Sequence, residues 1–389
     1  MSVEKSENDS MLNELKALAK SRVTRRSVLA GAGAVGAGSL LSACGGGGAE
    51  ADVRWGNWTL YLDYDSDKKI YPTLEEFTKQ TKITVKYLED YNDNDEFYGK
   101  VQGQLKLKKD IGYDLICPTD WMAARYIRLG YAQKLDKANI PNAKNIISSL
   151  ASVPFDQNRD YSLTWQGIMG GFTWNKEKLP KGVRTLDDLF APANKGKVEV
   201  LTELRDTVGV IMLAQGVDIT KFTSDQYYNA LDFLQKKIAD GFIRQVKGND
   251  YKEDLISGDA VAVIGWSGDA FQLAAENDGK FEFAIPESGG TISADNFIIP
   301  STGKNKAKVE ELINYYYEPE VAAKVAAYVN YITPVQGAQA AMEKVDPSLV
   351  NNELIFPTAK TQSKLHVFRN LTPAEETEFT DAFQKATGN

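Results

Sequence analysis

Trp58, Trp121 and Trp266 each follow a short apolar segment that reads as a β-strand, and carboxylates stand close to two of them. Asp120 directly precedes Trp121, and Asp269 lies three residues after Trp266. Aromatic faces attract cations and cover methylene groups, while carboxylates pair with the charge, so this combination suits a small organic cation. Sugars would ask for tryptophan beside neutral partners, and ferric iron for clustered tyrosines. His366 is the only histidine, which leaves little for a histidine-based metal centre or proton relay, and no cofactor is expected. Ser267, Asp295 and His366 follow the chain order of a serine hydrolase. The nucleophile elbow needs Gly-x-Ser-x-Gly, however, and Asp269 takes the place of its last glycine. Asp63, Asp65 and Asp67 imitate the start of a calcium loop, but Lys68 stands at the sixth position and Leu74 at the twelfth. The run Asp93-Asn94-Asp95-Glu96 reads as the cap of a following helix, and Cys117 as an inert thiol in an apolar strand.

The elements that must position these residues alternate along the chain. Strands are expected over 52–58, 83–88, 113–118 and 260–265. Helices are expected over 72–81, 94–107, 121–129, 224–240, 251–257, 306–317, 319–328 and 373–385, the segment at 224–240 carrying Tyr227, Leu231, Leu234 and Ile238 on one face. Such alternation predicts an α/β architecture with largely parallel sheets. In open α/β sheets ligands bind at the carboxyl ends of strands, where all three tryptophans fall. Asp269 also reads as a possible cap for a helix starting at Ala270.

A chain of 389 residues is long enough for two domains. Its formal net charge is −8, and residues 1–43 carry six Lys or Arg against four Asp or Glu, so the remainder is more acidic still. An acidic body argues against nucleic acid as a partner and suits cations. Residues 1–43 have the order of an export signal: Arg25-Arg26, a Gly/Ala-rich apolar run from Val28 to Leu41, then Leu41-Ser42-Ala43-Cys44. The apolar run is shorter than the roughly 20 residues a bilayer span needs. The paired arginines are similar to a twin-arginine signal, and Leu-Ser-Ala-Cys is similar to a lipobox, which marks Cys44 for lipidation. Residues 44–51 then form a glycine-rich tether. Gly31, Gly33 and Gly36 match the spacing of a dinucleotide-binding loop, but they sit inside the signal rather than between a strand and a helix.

Four segments recur together in a known family: Asn57-Trp58-Thr59-Leu60-Tyr61, Tyr113-Asp114-Leu115-Ile116-Cys117-Pro118-Thr119, Gly265-Trp266-Ser267-Gly268-Asp269, and Asp295 followed by Tyr331-Ile332-Thr333-Pro334. In this order and behind a lipoprotein-type signal, they resemble the spermidine/putrescine-binding proteins of ABC importers, over nearly all of residues 52–365. The resemblance implies a two-lobed periplasmic-binding-protein type II fold with a ligand cleft between the lobes. Lobe 1 would comprise 52–167 plus 295–338, and lobe 2 168–294 plus 339–389. It further implies Trp58, Thr59, Tyr61, Thr119 and Trp121 as first-lobe contacts and Trp266 and Asp269 as second-lobe contacts, and Asp120, a carboxylate where the family usually has a neutral residue, is a further candidate beside them. Asp295 would be the main ammonium partner, with Tyr331 closing the cleft and Glu203 and Asp206 supplying the family's acidic pair. Ser293 stands where many members have a large aromatic. The function implied is capture of a polyamine, without chemistry, by a monomer tethered through Cys44 to the outer face of the cytoplasmic membrane, and its delivery to the permease.

Overall fold

The computed structural model describes residues 51–388, so the signal segment, the glycine pattern at 31–36 and Cys44 lie outside the described residues. Within them one mixed sheet runs in the order β2-β1-β3-β9-β4-β7-β5-β6, with β10 added to β9 and β8 added to β4. The strands are β1 (Val53–Trp58), β2 (Val85–Tyr91), β3 (Leu115–Ile116), β4 (Ser162–Asn175), β5 (Val198–Leu201), β6 (Ile243–Lys247), β7 (Ala262–Trp266), β8 (Phe281–Ala284), β9 (Gly290–Ile298) and β10 (Leu365–His366). The α-helices are α1 (Pro72–Thr81), α2 (Asn94–Lys106), α3 (Asp120–Arg128), α4 (Leu186–Leu189), α5 (Leu204–Ala214), α6 (Ser224–Ala239), α7 (Tyr251–Ser257) and α8 (Ser267–Glu276). They continue with α9 (Lys306–Tyr316), α10 (Pro319–Val329), α11 (Ala338–Val345), α12 (Ala359–Gln362) and α13 (Pro373–Thr387). Residues 64–72 form a small loop of their own, in which Asp65 and Ile70 exchange backbone hydrogen bonds.

Local chemistry explains the helix boundaries. Asp93 caps α2 by accepting from the backbone N–H groups of Asp95 and Glu96, as its sequence suggests. Reciprocal capping boxes open α6 (Thr223 with Gln226) and α13 (Thr372 with Glu375, followed by Pro373). The α6 face bearing Tyr227, Leu231 and Leu234 is buried, and Tyr227 stacks on Phe379 of α13 with ring centroids 4.0 Å apart. In place of a helix starting at Ala270, α8 begins at Ser267 with Trp266 at its N-cap position. Asp269 therefore sits inside the first turn.

The expectation of a largely parallel sheet is corrected at its centre. β1 pairs in parallel with β2 and β3, and β5 with β6 and β7, but β4 runs antiparallel to β7, β8 and β9. β4 is buried along its whole length of 14 residues. Its first part pairs with β9, from Ser162↔Ile298 to Gly170↔Thr291, and its second part pairs with β7, from Gly170↔Trp266 to Trp174↔Ala262. β9 pairs with β3 at its far end. Thus two long strands link the β1–β3 half of the sheet to the β5–β7 half.

Gly170, where β4 touches both neighbours, has no room for a side chain. A Cβ there would lie 2.1 Å from Thr291 Oγ1 and 2.9 Å from Asp206 Oδ1. Thr291 donates to Asp206, so Gly170→Ala is expected to push these two apart and destabilise the protein by about 1–3 kcal/mol. Chemical denaturation measures the loss, and a variant as stable as wild type would show that the crossing is not tightly packed.

Candidate functional site

The carboxyl ends of β1, β3 and β7, and the middle of β9, converge on one pocket. It is lined by Trp58, Tyr61, Asp93, Asn94, Thr119, Ile168, Glu203, Asp206, Asn249, Trp266, Ser293, Asp295 and Tyr331. Trp58 ends β1 and is held by its indole N–H, which donates to Cys117 O at 2.9 Å. Leu60 takes a left-handed φ of 60°, a conformation that costs a non-glycine residue on the order of 1 kcal/mol. Between these two constraints the chain turns Tyr61 into the pocket. Trp266 ends β7, and its indole N–H donates to Asp206 Oδ2 at 2.8 Å. The rings of Trp58 and Trp266 meet edge to face, 6.3 Å apart.

Asp295 is 1% exposed and lies opposite Gln166 on β4. Its oxygens accept from Thr119 Oγ1 at 2.7 Å and Tyr61 OH at 2.8 Å. Burial raises its pKa to about 7, against the lowering effect of those two hydrogen bonds, and the charges of Asp120 and Asp206 add to the rise. Asp206, on the first turn of α5, is also raised by burial, with Thr291 and Trp266 opposing. Glu203 caps α5 and is raised to about 7, again by burial, with Arg205 opposing. Asp93 is raised by burial as well, and its second oxygen accepts from Thr202 Oγ1 at 2.7 Å. Among the described residues, Glu203 has an ion-pair partner in Arg205 at 3.3 Å. For Asp93, Asp206 and Asp295 the ion pairs of the described residues include no lysine or arginine. Carboxylates that line an aromatic pocket in this state are arranged for a cation.

Of the residues expected in the site, Trp58, Tyr61, Thr119, Glu203, Asp206, Trp266, Asp295 and Tyr331 line this pocket, and Thr59, Asp120, Trp121 and Asp269 do not. The four outliers have other work, or none that is visible. Asp120 accepts from Ala294 N at 3.0 Å and Asn296 Nδ2 at 2.8 Å, which ties α3 to β9. Trp121 turns its indole N–H to Glu203 at 2.9 Å and its ring lies between the guanidinium groups of Arg205 and Arg125, at 3.9 and 4.9 Å. It lines an adjoining groove, which shares Asp93 and Glu203 with the pocket. Asp269 stands behind Tyr331 and Asn249, accepting from both. Thr59 makes no side-chain contact that explains its place in the motif.

Asp93, Asn94, Ile168 and Asn249 line the pocket without having been expected there. Asp93 and Asn94 read as helix-cap residues; Asp93 is the cap of α2, and Asn94, the first residue of the helix, donates from Nδ2 to Thr119 Oγ1 at 2.9 Å. Ser293 lies two residues before Asp295 on β9, and so on the same face, and Ile168 is its partner on β4. That alternation was the signal available for Ser293. The hydrolase arrangement is not assembled: Ser267 Oγ is buried without a hydrogen-bond partner, and Asp295 is taken by Tyr61 and Thr119. Asp65, offered for a calcium loop, instead accepts from the backbone of Asp67 and Lys68 and pairs with Lys68 Nζ.

Comparison with known proteins agrees with this geometry. A family profile described as bacterial extracellular solute-binding protein matches residues 73–356. The chain is 30% identical over 309 residues to the spermidine/putrescine-binding periplasmic protein of Escherichia coli, covering 78% of this chain and 83% of the relative. It is 26% identical over 347 residues to the putrescine-binding periplasmic protein PotF of the same organism, covering 85% and 89%. The solved structure of the spermidine/putrescine ABC transporter substrate-binding protein PotD from Streptococcus pneumoniae matches with a TM-score of 0.69 at 22% identity, covering 87% and 98%. That likeness identifies the two-lobed periplasmic-binding-protein fold.

Burial of Asp295 has a measurable consequence in the ligand-free protein. The unfolded chain releases this proton near pH 4 and the folded chain near pH 7, so ionisation of Asp295 costs stability as pH rises through that window. Asp295→Asn removes the effect. Its stability relative to wild type is expected to improve by about 2.5 kcal/mol between pH 5 and pH 8. Denaturant titrations at the two pH values test this, and a pH-independent difference would rule out a raised pKa at Asp295.

Proposed function

The chain belongs to the bacterial extracellular solute-binding protein family, and on that footing we propose that it captures a polyamine, putrescine or spermidine, in the pocket around Asp295. The observation that carries this reading is the set of three carboxylates, Asp93, Asp206 and Asp295, that line the pocket beside Trp58 and Trp266 and form no ion pair with a lysine or arginine among the described residues. Indole and phenol faces would cover the methylenes, and the carboxylates would take the ammonium groups. The names of the relatives point the same way. A different small organic cation is the alternative that the same pocket chemistry admits.

Delivery would follow the two-lobed architecture. We divide the lobes at 167/168 and 294/295, with further crossing at 338/339. In support of that division, Gly167 pairs with Ala294 across the β4–β9 ladder, and Gly167 and Ile332 exchange backbone hydrogen bonds of 2.7 and 3.0 Å. Hinge motion near Gly170–Thr173 and Ala294–Phe297 would open the cleft, and ligand would favour the closed form because only there do both lobes touch it. The closed monomer would then dock on the permease of an ABC importer and release its ligand there. No enzymatic step is proposed.

Titration calorimetry of residues 50–389 with putrescine and spermidine tests the reading. One-to-one binding is expected, with affinity higher at pH 8 than at pH 6, because the ligand's ammonium competes with protons for Asp295 and Glu203. Asp295→Ala is expected to weaken binding about 30-fold, having left a buried ammonium unpaired. A folded, ligand-free protein that binds neither amine would remove polyamines from consideration and leave the other organic cations.

Membrane attachment rests on Cys44, in the lipobox-like Leu41-Ser42-Ala43-Cys44. The full-length wild-type chain, expressed in a bacterium that processes lipoproteins, is expected in the membrane fraction, and Cys44→Ala in the soluble extracytoplasmic fraction. Identical partitioning of the two would exclude a lipid anchor at Cys44.

A further inference from the structure

Two buried carboxylates flank a pair of touching tyrosines. Tyr61 OH donates to Asp295 at 2.8 Å and Tyr331 OH donates to Asp269 at 3.0 Å, while the two rings meet edge to face with centroids 5.0 Å apart. Asp295 is 1% exposed and Asp269 2%. Both tyrosines line the pocket. The two carboxylates differ in their charge partners. Among the described residues, the Asp295 carboxylate accepts side-chain hydrogen bonds from the hydroxyl groups of Tyr61 and Thr119 and forms no ion pair. Asp269 has Lys252 Nζ at 3.2 Å, together with Tyr251 OH at 3.0 Å and Asn249 Nδ2 at 3.4 Å.

The segment that supplies these partners is continuous. Asn249, Tyr251 and Lys252 come from the turn after β6 and the start of α7, and all three converge on the first turn of α8. The lysine side chain is 12% exposed, and its ammonium is held by a buried carboxylate, the kind of partner a ligand ammonium would seek. We propose that Lys252 is a specificity-determining residue, an internal ammonium that occupies the carboxylate seat at Asp269 and thereby lowers by one the number of ammonium groups the pocket neutralises. This inference rests on the polyamine reading of the pocket. It follows from charge balance: a buried carboxylate without a cation attracts one, and a carboxylate already paired does not. With Lys252 in place, ligand charge is directed to the Asp295, Asp206 and Asp93 side. A lysine that only stabilised the fold would leave the preference between a diamine and a triamine unaltered when it was replaced.

The test compares putrescine, with two amines, and spermidine, with three, by titration calorimetry on wild type, Lys252→Met, Lys252→Arg and the double variant Lys252→Met/Asp269→Asn. In Lys252→Met the ratio of spermidine to putrescine affinity is expected to rise about tenfold. Lys252→Arg, which keeps the charge, and the double variant, which removes both charges, are expected to keep the wild-type ratio. An unchanged ratio in a folded Lys252→Met overturns the inference while leaving the polyamine reading standing. Wild-type protein that binds neither amine overturns both. Should Lys252→Met fail to fold, Asp269→Asn reads the same balance from the other side. It leaves an unpaired ammonium beside the pocket and is expected to weaken spermidine more than putrescine, and equal losses for the two ligands overturn the inference.

Discussion

The constraint on which the site depends is the cost of keeping carboxylates out of water. Asp295 and Asp206 are buried in a protein whose other buried acids are mostly matched: Asp114 by Arg54, Asp269 by Lys252, Glu376 by Arg125 and Arg128. Hydrogen bonds from Thr119, Tyr61, Thr291 and Trp266 offset part of the cost, but they supply no positive charge. Burial therefore raises both pKa values, and the ligand-free pocket stores free energy that a proton or a cation releases. The fold holds these groups in place through backbone registers that have little freedom. Asp295 is set by its pairing with Gln166, and Asp206 by the first turn of α5 against Thr291 and Trp266.

Much of this was legible in the sequence where residues signal locally. α1 and α7 have the expected limits, and α2, α3, α6, α9, α10 and α13 lie within a residue or two of theirs, because their caps and apolar faces are encoded within a few positions. The tryptophans that end β1 and β7 were legible for the same reason. β4 was not. Its sequence mixes glycine, threonine, glutamine and tryptophan without alternation, because each half packs against different partners and both faces are covered. β9 has the same difficulty. The antiparallel centre of the sheet, and with it Ile168 and the pairing that positions Asp295, depends on contacts between residues far apart in the chain, from Trp174 with Ala262 to Ser162 with Ile298, which no local pattern reports.

Three of the expected residues that lie outside the pocket lining, Asp120, Trp121 and Asp269, share one physical feature: each is held by several protein partners. Asp120 is spent on the backbone and side chain of β9, Trp121 on two guanidinium groups and Glu203, and Asp269 on an ammonium, two phenols and an amide. Residue type and spacing alone do not distinguish a carboxylate that waits for a cation from one that has found it. The partners do, and most of them come from other elements, among them α5, α7 and β9.

That distinction bears on how one set of aromatic and acidic groups could serve ligands of different charge. On the proposed reading, the pocket walls of Trp58, Trp266, Tyr61 and Tyr331 would cover a methylene chain with cationic ends. Charge count is set separately, by how many nearby carboxylates the protein neutralises for itself. Arg205 at Glu203 and Lys252 at Asp269 act at that level without lining the aromatic surface between Trp58 and Trp266 in the case of the lysine, and from the adjoining groove in the case of the arginine. A single substitution at either cation changes the balance of charge while the walls stay as they are. On that reading, selectivity between amines would shift without rebuilding the pocket, because the discriminating term would be electrostatics among buried groups rather than shape.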